Sequence, residues 1–535
     1  MDVYDYIVVG AGTSGCVVAS RLAEISNVTI CLLEAGPRDF HPYIHIPVGW
    51  MKLMDNRKLN WLYSAEPSKW TGGRRISVPR GKVLGGSSSI NGNIFNRGAA
   101  SDFDGWAQMG NLGWSYEDVL PLFKRIESWQ GIKNNKLRGG EGKLHVTPSD
   151  WSHPLCEAFL DAAESVGIPR NKDYNGESQF GAAYTQRTIL NGYRQNSAKA
   201  YLKMALKRGV IDLKTNSTTT RILIDQGAAK GIEYRIGGKT NVMFARREVI
   251  ICGGVINSPH LLQQSGVGDP VDLKEIGIPI VKALNGVGKN LRDHYGVRFT
   301  AKAKNIKTFN EKANGIPLMG EVFKWVIGKP SILSLPATAC YAFAKSNPIL
   351  DSSDIQITFM PASYKEGVQN KLDNEPGMTF AVWQQRPDST GFVKARSTDP
   401  SQPPEIQPNY LALESDQRTL LSGILLMRKI MYSKPMKEYF DKEIYPGSKI
   451  TTKKELLEIV KKRGTTAFHM VGTCKMGHFD DPMSVVTPNL CVKGISNLRI
   501  ADASIMPTMP SANTNACCYM IGEKASDLIK ADYFK

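Results

Sequence analysis

The sequence has little that would mark it as secreted, membrane-spanning or metal-binding, and each lack removes a class of protein. No uncharged apolar run reaches the roughly 20 residues that a helix needs to cross a bilayer, so no transmembrane segment is expected. Strand-like sequence starts at Asp5 with no basic segment before it, so no signal peptide is expected. Nine cysteines are spread over 535 residues and none sits at CxxC spacing, which excludes a disulfide framework and suits a reducing, cytoplasmic setting. His41 and His45 stand four apart with a proline between them and no glutamate of an HExxH pattern, so no metal is expected. The basic clusters at 302–307 and 461–463 are short and hold no aromatic residues, unlike a platform on which bases stack. The net charge of +17 therefore reads as lysines scattered over solvated faces, with no nucleic-acid partner. Repeats and low-complexity tracts are also missing.

What is present is average globular composition, 42% hydrophobic and 22% charged, on a chain long enough for two domains. Tyr6-Ile7-Val8-Val9 is a continuous apolar run, as in a strand buried on both faces of a parallel sheet. Gly10-Ala11-Gly12-Thr13-Ser14-Gly15 follows and fits GxGxxG; residues 17–25 have helical apolar spacing, and a second apolar strand over 28–33 ends at Glu34. Each part has a physical task in holding a dinucleotide. Gly10 makes the tight turn, and Gly12 lets the backbone approach a pyrophosphate at the helix start, where Thr13 and Ser14 stand. Gly15 permits close helix–strand packing, and Glu34, 19 residues further on, accepts hydrogen bonds from a ribose. This motif suits FAD and NAD alike.

An irregular stretch over 36–98 contains a second small-residue loop at 81–91, where adjacent glycines and three serines let N–H groups and hydroxyls crowd around a ligand. Ser115 caps a helix; 248–252 is a buried strand, with Gly253-Gly254 and a helix through His260 behind it. From 293 to 464 the texture changes: 353–361 and 378–385 alternate like half-buried antiparallel strands, 392–396 follows a turn, and 420–431 is helical. The end returns to the first texture, with a strand at 498–501 and a helix over 513–529. The fold class expected is α/β: a discontinuous Rossmann-type domain (1–155, 190–300 and 465–535) and an α+β substrate domain (301–464) on an antiparallel sheet.

The stretch 81–104 resembles the first signature of the glucose–methanol–choline (GMC) oxidoreductases, and 254–268 resembles the second, with Val255 where the family usually has a smaller residue. Residues 290–294, 469–477 and 501–515 resemble further family segments. The resemblance implies FAD as cofactor and oxidation of a small primary alcohol to an aldehyde by hydride transfer to flavin N5. By the same resemblance, Gly86, Ser87, Asn91, Gly92, Asn93 and Ile94 belong to the flavin and pyrophosphate loop, and Thr219 to the adenine end. Asp502 and Ala503 fall by the ribityl–pyrophosphate region, with Thr514 beside Asn513. Some members attach FAD through a histidine at the position of Ile90; isoleucine cannot, so the FAD is expected to be noncovalent.

Alcohol oxidation needs a base for the hydroxyl proton, and histidine has the right affinity near neutral pH. Of the eight histidines, His145, His153 and His478 read as surface residues and His260 as a core one; His294 lies in a family segment but is not the usual base there. His469 stands in a run resembling the family's active-site segment, which makes it the implied base, with Asn513 as its partner at a helix start. An asparagine there resembles choline- and aryl-alcohol-oxidising relatives more than sugar oxidases. Cys340 is similar to a cysteine of the photodecarboxylase-like lyases, the rival reading, but that subgroup lacks a histidine matching His469. The electron acceptor is oxygen or a quinone-like carrier, and Trp61, Tyr63 and Trp383 are pocket or core aromatics.

Overall fold

The computed structural model describes residues 2–365 and 371–534. It is an α/β protein built on two seven-stranded sheets. In the first, Ile211–Lys214, Ile30–Leu33, Asp2–Val9 and Lys239–Ile251 run parallel in that order, with Leu498–Ile500 also parallel to the end of Lys239–Ile251. Ile7, Val8, Cys31 and Ile250 are completely buried because helices cover these strands, which is why their sequence is apolar without alternation. The start of Lys239–Ile251 extends beyond the predicted strand and pairs antiparallel with Ala228–Ile236, which in turn pairs with Thr218–Asp225.

Two helices meet at the C-terminal end of this sheet. Thr13–Leu22 begins directly after the glycine turn, and Asn515–Tyr533, starting two residues later than predicted, packs along it. Their closeness depends on glycine, since a Cβ on Gly522 would stand 2.8 Å from the Val17 Cβ; likewise one on Gly15 would stand 1.9 Å from the carbonyl oxygen of Gly10 in the turn before the first helix. Ser115 caps Tyr116–Ile126 with a reciprocal Ser115–Asp118 box, as expected.

The second sheet is antiparallel throughout, in the order Phe440–Tyr445, Tyr295–Ala303, Gly377–Gln384, Ile355–Met360, Cys340–Ala344 and Gly181–Tyr184, with Thr465–Thr466 beside Tyr295–Ala303. Its strands are not half-buried, as the alternation suggested: every residue of Gly377–Gln384 is buried. The period of two instead divides two enclosed faces. Phe380 and Val382 pack into the core against the helix Glu414–Met431, while Thr379, Ala381 and Trp383 face a cavity. Phe392–Lys394 stays out of this sheet and forms a ribbon with Glu405–Gln407. Gly181–Tyr184 lies in 156–189, which the sequence division left unassigned, and Tyr295 and Thr465 cross the boundaries drawn at 301 and 464. Composition carries no record of which distant strand a short segment will pair with. Among the described residues, no helix is long and apolar enough to cross a membrane.

Candidate active site

A cavity of about 710 Å³ lies between the ends of the parallel strands and the second sheet, within the size range of small-molecule and cofactor sites. At one end it is walled by bare backbone. A Cβ on Gly12 would find only the Gly86 Cα, 4.0 Å away, and one on Gly254 would find nothing within 4 Å. The N-termini of Thr13–Leu22 and Asn515–Tyr533 converge there, tied by the Thr13 hydroxyl donating to Asn515 Oδ1 (2.7 Å) and the Ser14 hydroxyl to the Cys518 carbonyl (2.7 Å). Thr13 and Ser14 thus leave their backbone N–H groups and two helix dipoles to meet an anion. Glu34 also lines the cavity; it accepts the N–H groups of Ala11 (3.1 Å) and Gly36 (2.9 Å), and burial pushes its carboxyl up to about 7. Further along, Thr219 has a buried hydroxyl with no partner among the described residues. A glycine-walled cradle, two helix starts and an orphaned hydroxyl suit a large dinucleotide.

Gly10, Gly86, Ser87, Asn91, Gly92, Ile94, Asp502, Ala503 and Thr514 line the same cavity. Asn93 does not: it is completely buried and its amide donates to the Pro47 carbonyl (3.3 Å). Its φ of 60° places it in the left-handed region, turning the chain between cavity-facing Gly92 and Ile94. Gly15 packs beneath the loop, as its predicted role requires. The Asp502 carboxylate is already engaged by the N–H groups of Gly254 (2.9 Å) and Ser504 (2.8 Å) and the Ser258 hydroxyl (2.5 Å), so it shapes the wall rather than reaching across it.

Just before the start of Asn515–Tyr533, Asn513 faces the cavity together with His469, its Nδ2 3.0 Å from His469 Nε2. His469 Nδ1 lies 2.9 Å from His294 Nδ1, and His294 Nε2 lies 2.7 Å from the Gln385 carbonyl oxygen. These distances fix the protons. A carbonyl only accepts, so His294 carries hydrogen on Nε2; a neutral His294 then presents a bare Nδ1, and His469 must donate from its own Nδ1. Nε2 of His469 is left as a lone pair at the cavity wall. Asn513 is consistent with this, because Tyr341 donates its hydroxyl to Oδ1 (3.1 Å) and leaves Nδ2–H to face the lone pair. Burial lowers His294 to about 4, and burial, His294 and Arg80 together hold His469 well below 6.5.

The backbone around the pair is anchored by two buried carboxylates. Asp293 accepts the His469 N–H (2.8 Å), the Tyr410 hydroxyl (2.6 Å) and the Thr466 hydroxyl. Asp102 accepts the N–H and hydroxyl of Ser511, two residues before Asn513, and Arg386 Nε at 2.8 Å.

Family models match residues 4–296 and 387–522, both described as GMC oxidoreductase. The chain belongs to the GMC oxidoreductase family. It is an FAD-dependent oxidoreductase that acts on CH–OH donors. It is 38% identical over 530 residues to an oxygen-dependent choline dehydrogenase of Vibrio vulnificus (strain YJ016), covering 98% of this chain and 94% of that one. An alcohol dehydrogenase [acceptor] of Pseudomonas putida is 37% identical, with 98% and 95% covered. Among solved structures, pyridoxine 4-oxidase from Mesorbium loti superposes with a TM-score of 0.90 at 26% identity, covering 99% of both chains.

In a GMC oxidoreductase the sequence does not single out His294, which is not the family's usual base. Its signal was adjacency to Asp293 in a family segment; its partner is a backbone carbonyl, which no sequence pattern displays. Tyr341, Asp293 and Arg80 are not singled out either. His153 is not a surface residue: it caps the helix Pro154–Ser165, taking the Leu155 N–H on Nδ1, and is buried. His260 is buried on the cavity wall and lowered to about 4 by burial. Cys340 sits in the core of the second sheet, off the cavity, and nothing supports the photodecarboxylase reading. His260, His294 and His469 are neutral when folded and bind protons on unfolding, so stability should fall as pH drops below about 6.5. Thermal midpoints measured across that range check this; a midpoint rising toward acid would contradict it.

Proposed function

We propose that this enzyme oxidises a small, neutral primary alcohol to its aldehyde, with His469 as general base and Asn513 holding the substrate oxygen. The supporting observation is the bare Nε2 of His469, paired with an amide N–H at the wall of the cavity that also holds the dinucleotide cradle. Gly10, Gly12, Glu34, Gly86, Ser87 and Thr219 would hold FAD, with Asn91, Gly92, Ile94, Asp502, Ala503 and Thr514 along its length. FAD, when bound, supplies the two-electron acceptor for the substrate hydride. An alcohol entering between the two side chains gives its hydroxyl proton to His469 Nε2 and accepts the Asn513 N–H, which keeps the oxygen in place as it loses that proton. The start of Asn515–Tyr533 favours negative charge at the same wall. A base held below 6.5 stays unprotonated into acid. The rate of flavin reduction should therefore be flat down through about pH 6.5, with its acid limb lower; a limb above neutrality in anaerobic stopped-flow would refute that.

The charge of the cavity bears on the substrate. Its described lining carries Arg80, Lys82 and Arg298, while its carboxylates, Glu34 and Asp502, are held by backbone N–H groups. Lys82 Nζ already lies over the Trp61 ring, 4.6 Å from its centre, so that aromatic face of the cavity is taken by a cation of the chain itself. A neutral aromatic or aliphatic alcohol should exceed choline in kcat/KM by at least about tenfold, since like charge disfavours the cation. Bleaching of the bound flavin by a panel of alcohols under anaerobic conditions tests this, and a preference for choline would overturn it.

FAD is held without a covalent bond in this reading, because Ile90 lines the cavity and has no nucleophile. Acid precipitation should release all flavin into the supernatant; colour left in the pellet would contradict it. Reoxidation falls to oxygen or a quinone-like carrier. All nine cysteines are free thiols, which supports a reducing, cytoplasmic compartment.

A further inference from the structure

The helix Gly315–Val326 is inside out. Only Glu321 among its residues is buried, its carboxylate bonded to Lys324 Nζ (2.7 Å) and the Ile332 N–H (3.0 Å). Ile316 (84% exposed), Met319 (71%), Phe323 (64%) and Val326 (66%) face out instead. Their spacing of three, four and three residues puts them along one stripe, which in an ordinary surface helix would face the core. The helix is nevertheless fixed in place, because the Trp325 indole donates to the Gly192 carbonyl (2.8 Å) and its ring packs on Tyr193. It is joined to the active site through Ile332–Ser334 and the following residues to Ala337 and Thr338, which line the cavity.

The charge of the flanking chain selects what can cover this stripe. Residues 304–330 contain five lysines and two glutamates. Glu311 caps Thr308 and Glu321 takes Lys324, leaving Lys304, Lys307, Lys312 and Lys329 with no ion pair to a described residue. A second copy of the chain, meeting the first through the same patch, would set lysines against lysines. An anionic lipid surface satisfies both features, taking the apolar stripe at the acyl boundary and the lysines among the headgroups. We infer that Gly315–Val326 lays its exposed apolar stripe on an anionic phospholipid bilayer, docking the enzyme at the membrane surface with the cavity close by. At 12 residues the helix is too short to span, so it lies in the interface. Such docking suits a quinone-like acceptor, although the inference does not depend on the alcohol chemistry.

The test is flotation of the full-length, FAD-loaded protein with vesicles of phosphatidylcholine alone or mixed with phosphatidylglycerol. The protein should float with the phosphatidylglycerol vesicles, and high salt should weaken binding several-fold. The double variant Met319→Glu, Phe323→Glu should lose binding at least about tenfold while keeping its flavin and its rate with a water-soluble alcohol and dye. Wild-type protein left behind by both kinds of vesicle would overturn the inference, as would a variant that floats equally well. A wild-type dimer that the same variant dissolves, seen by sedimentation, would give the stripe to a second copy and also overturn it.

Discussion

His469→Ala should keep its FAD and lose flavin reduction by alcohol at least about a hundredfold, the lower range for removal of a general base. The cofactor should survive because the groups assigned to it lie elsewhere: the glycine loop, Glu34 and the 86–94 segment do not bond the imidazole. The fold should survive because Asp293 anchors residue 469 through its backbone N–H, which alanine retains. What is lost is the unprotonated ring nitrogen that faces Asn513. Anaerobic stopped-flow with a saturating primary alcohol measures the rate directly. A variant reduced at near-normal speed would remove His469 from the chemistry.

His294→Leu should slow the same step about ten- to a hundredfold, the range seen when a partner that orients a functional imidazole is removed. His294 does not itself line the cavity and has no hydrogen bond to Asn513, so it acts as a positioning residue through His469. Without a bare Nδ1 opposite, the His469 proton is no longer confined to its own Nδ1, and the tautomer with Nε2 blocked becomes accessible. A purely structural loss would lower the rate evenly across pH. Losing this partner should also move the acid limb upward, because His294 is one of the influences holding His469 down. His294→Gln should recover part of the rate, since its amide oxygen can accept the Nδ1–H. Equal rates and unchanged pH profiles in both variants would show that His294 only fills space.

The parts of the fold written in local sequence were legible. Tyr6-Ile7-Val8-Val9, the glycine turn and Glu34 follow each other in the chain as they do in space, and each has a strict steric reason. Most residues that the sequence assigns to the cradle line the cavity; Asn93 does not, because its left-handed backbone turns it away from its neighbours. The second sheet was harder. Gly181–Tyr184 is a four-residue segment that becomes a strand only because Cys340–Ala344 is beside it. The alternation over 378–385 was correctly seen, but a face of Thr379, Ala381 and Trp383 looks the same in sequence whether it meets water or a cofactor cavity. His469 is assigned by the run it stands in, whereas its tautomer depends on the Gln385 carbonyl acting through His294, and main-chain oxygens leave no trace in a sequence.

The most direct measurement is the tautomer of His469, read from 15N NMR of histidine-labelled, FAD-loaded enzyme at neutral pH and assigned by comparison with His469→Asn. A neutral ring with hydrogen on Nδ1 and an unprotonated Nε2 is expected from the Gln385–His294–His469 chain. A ring protonated on Nε2, or an imidazolium at that pH, would contradict it and leave the site without its base.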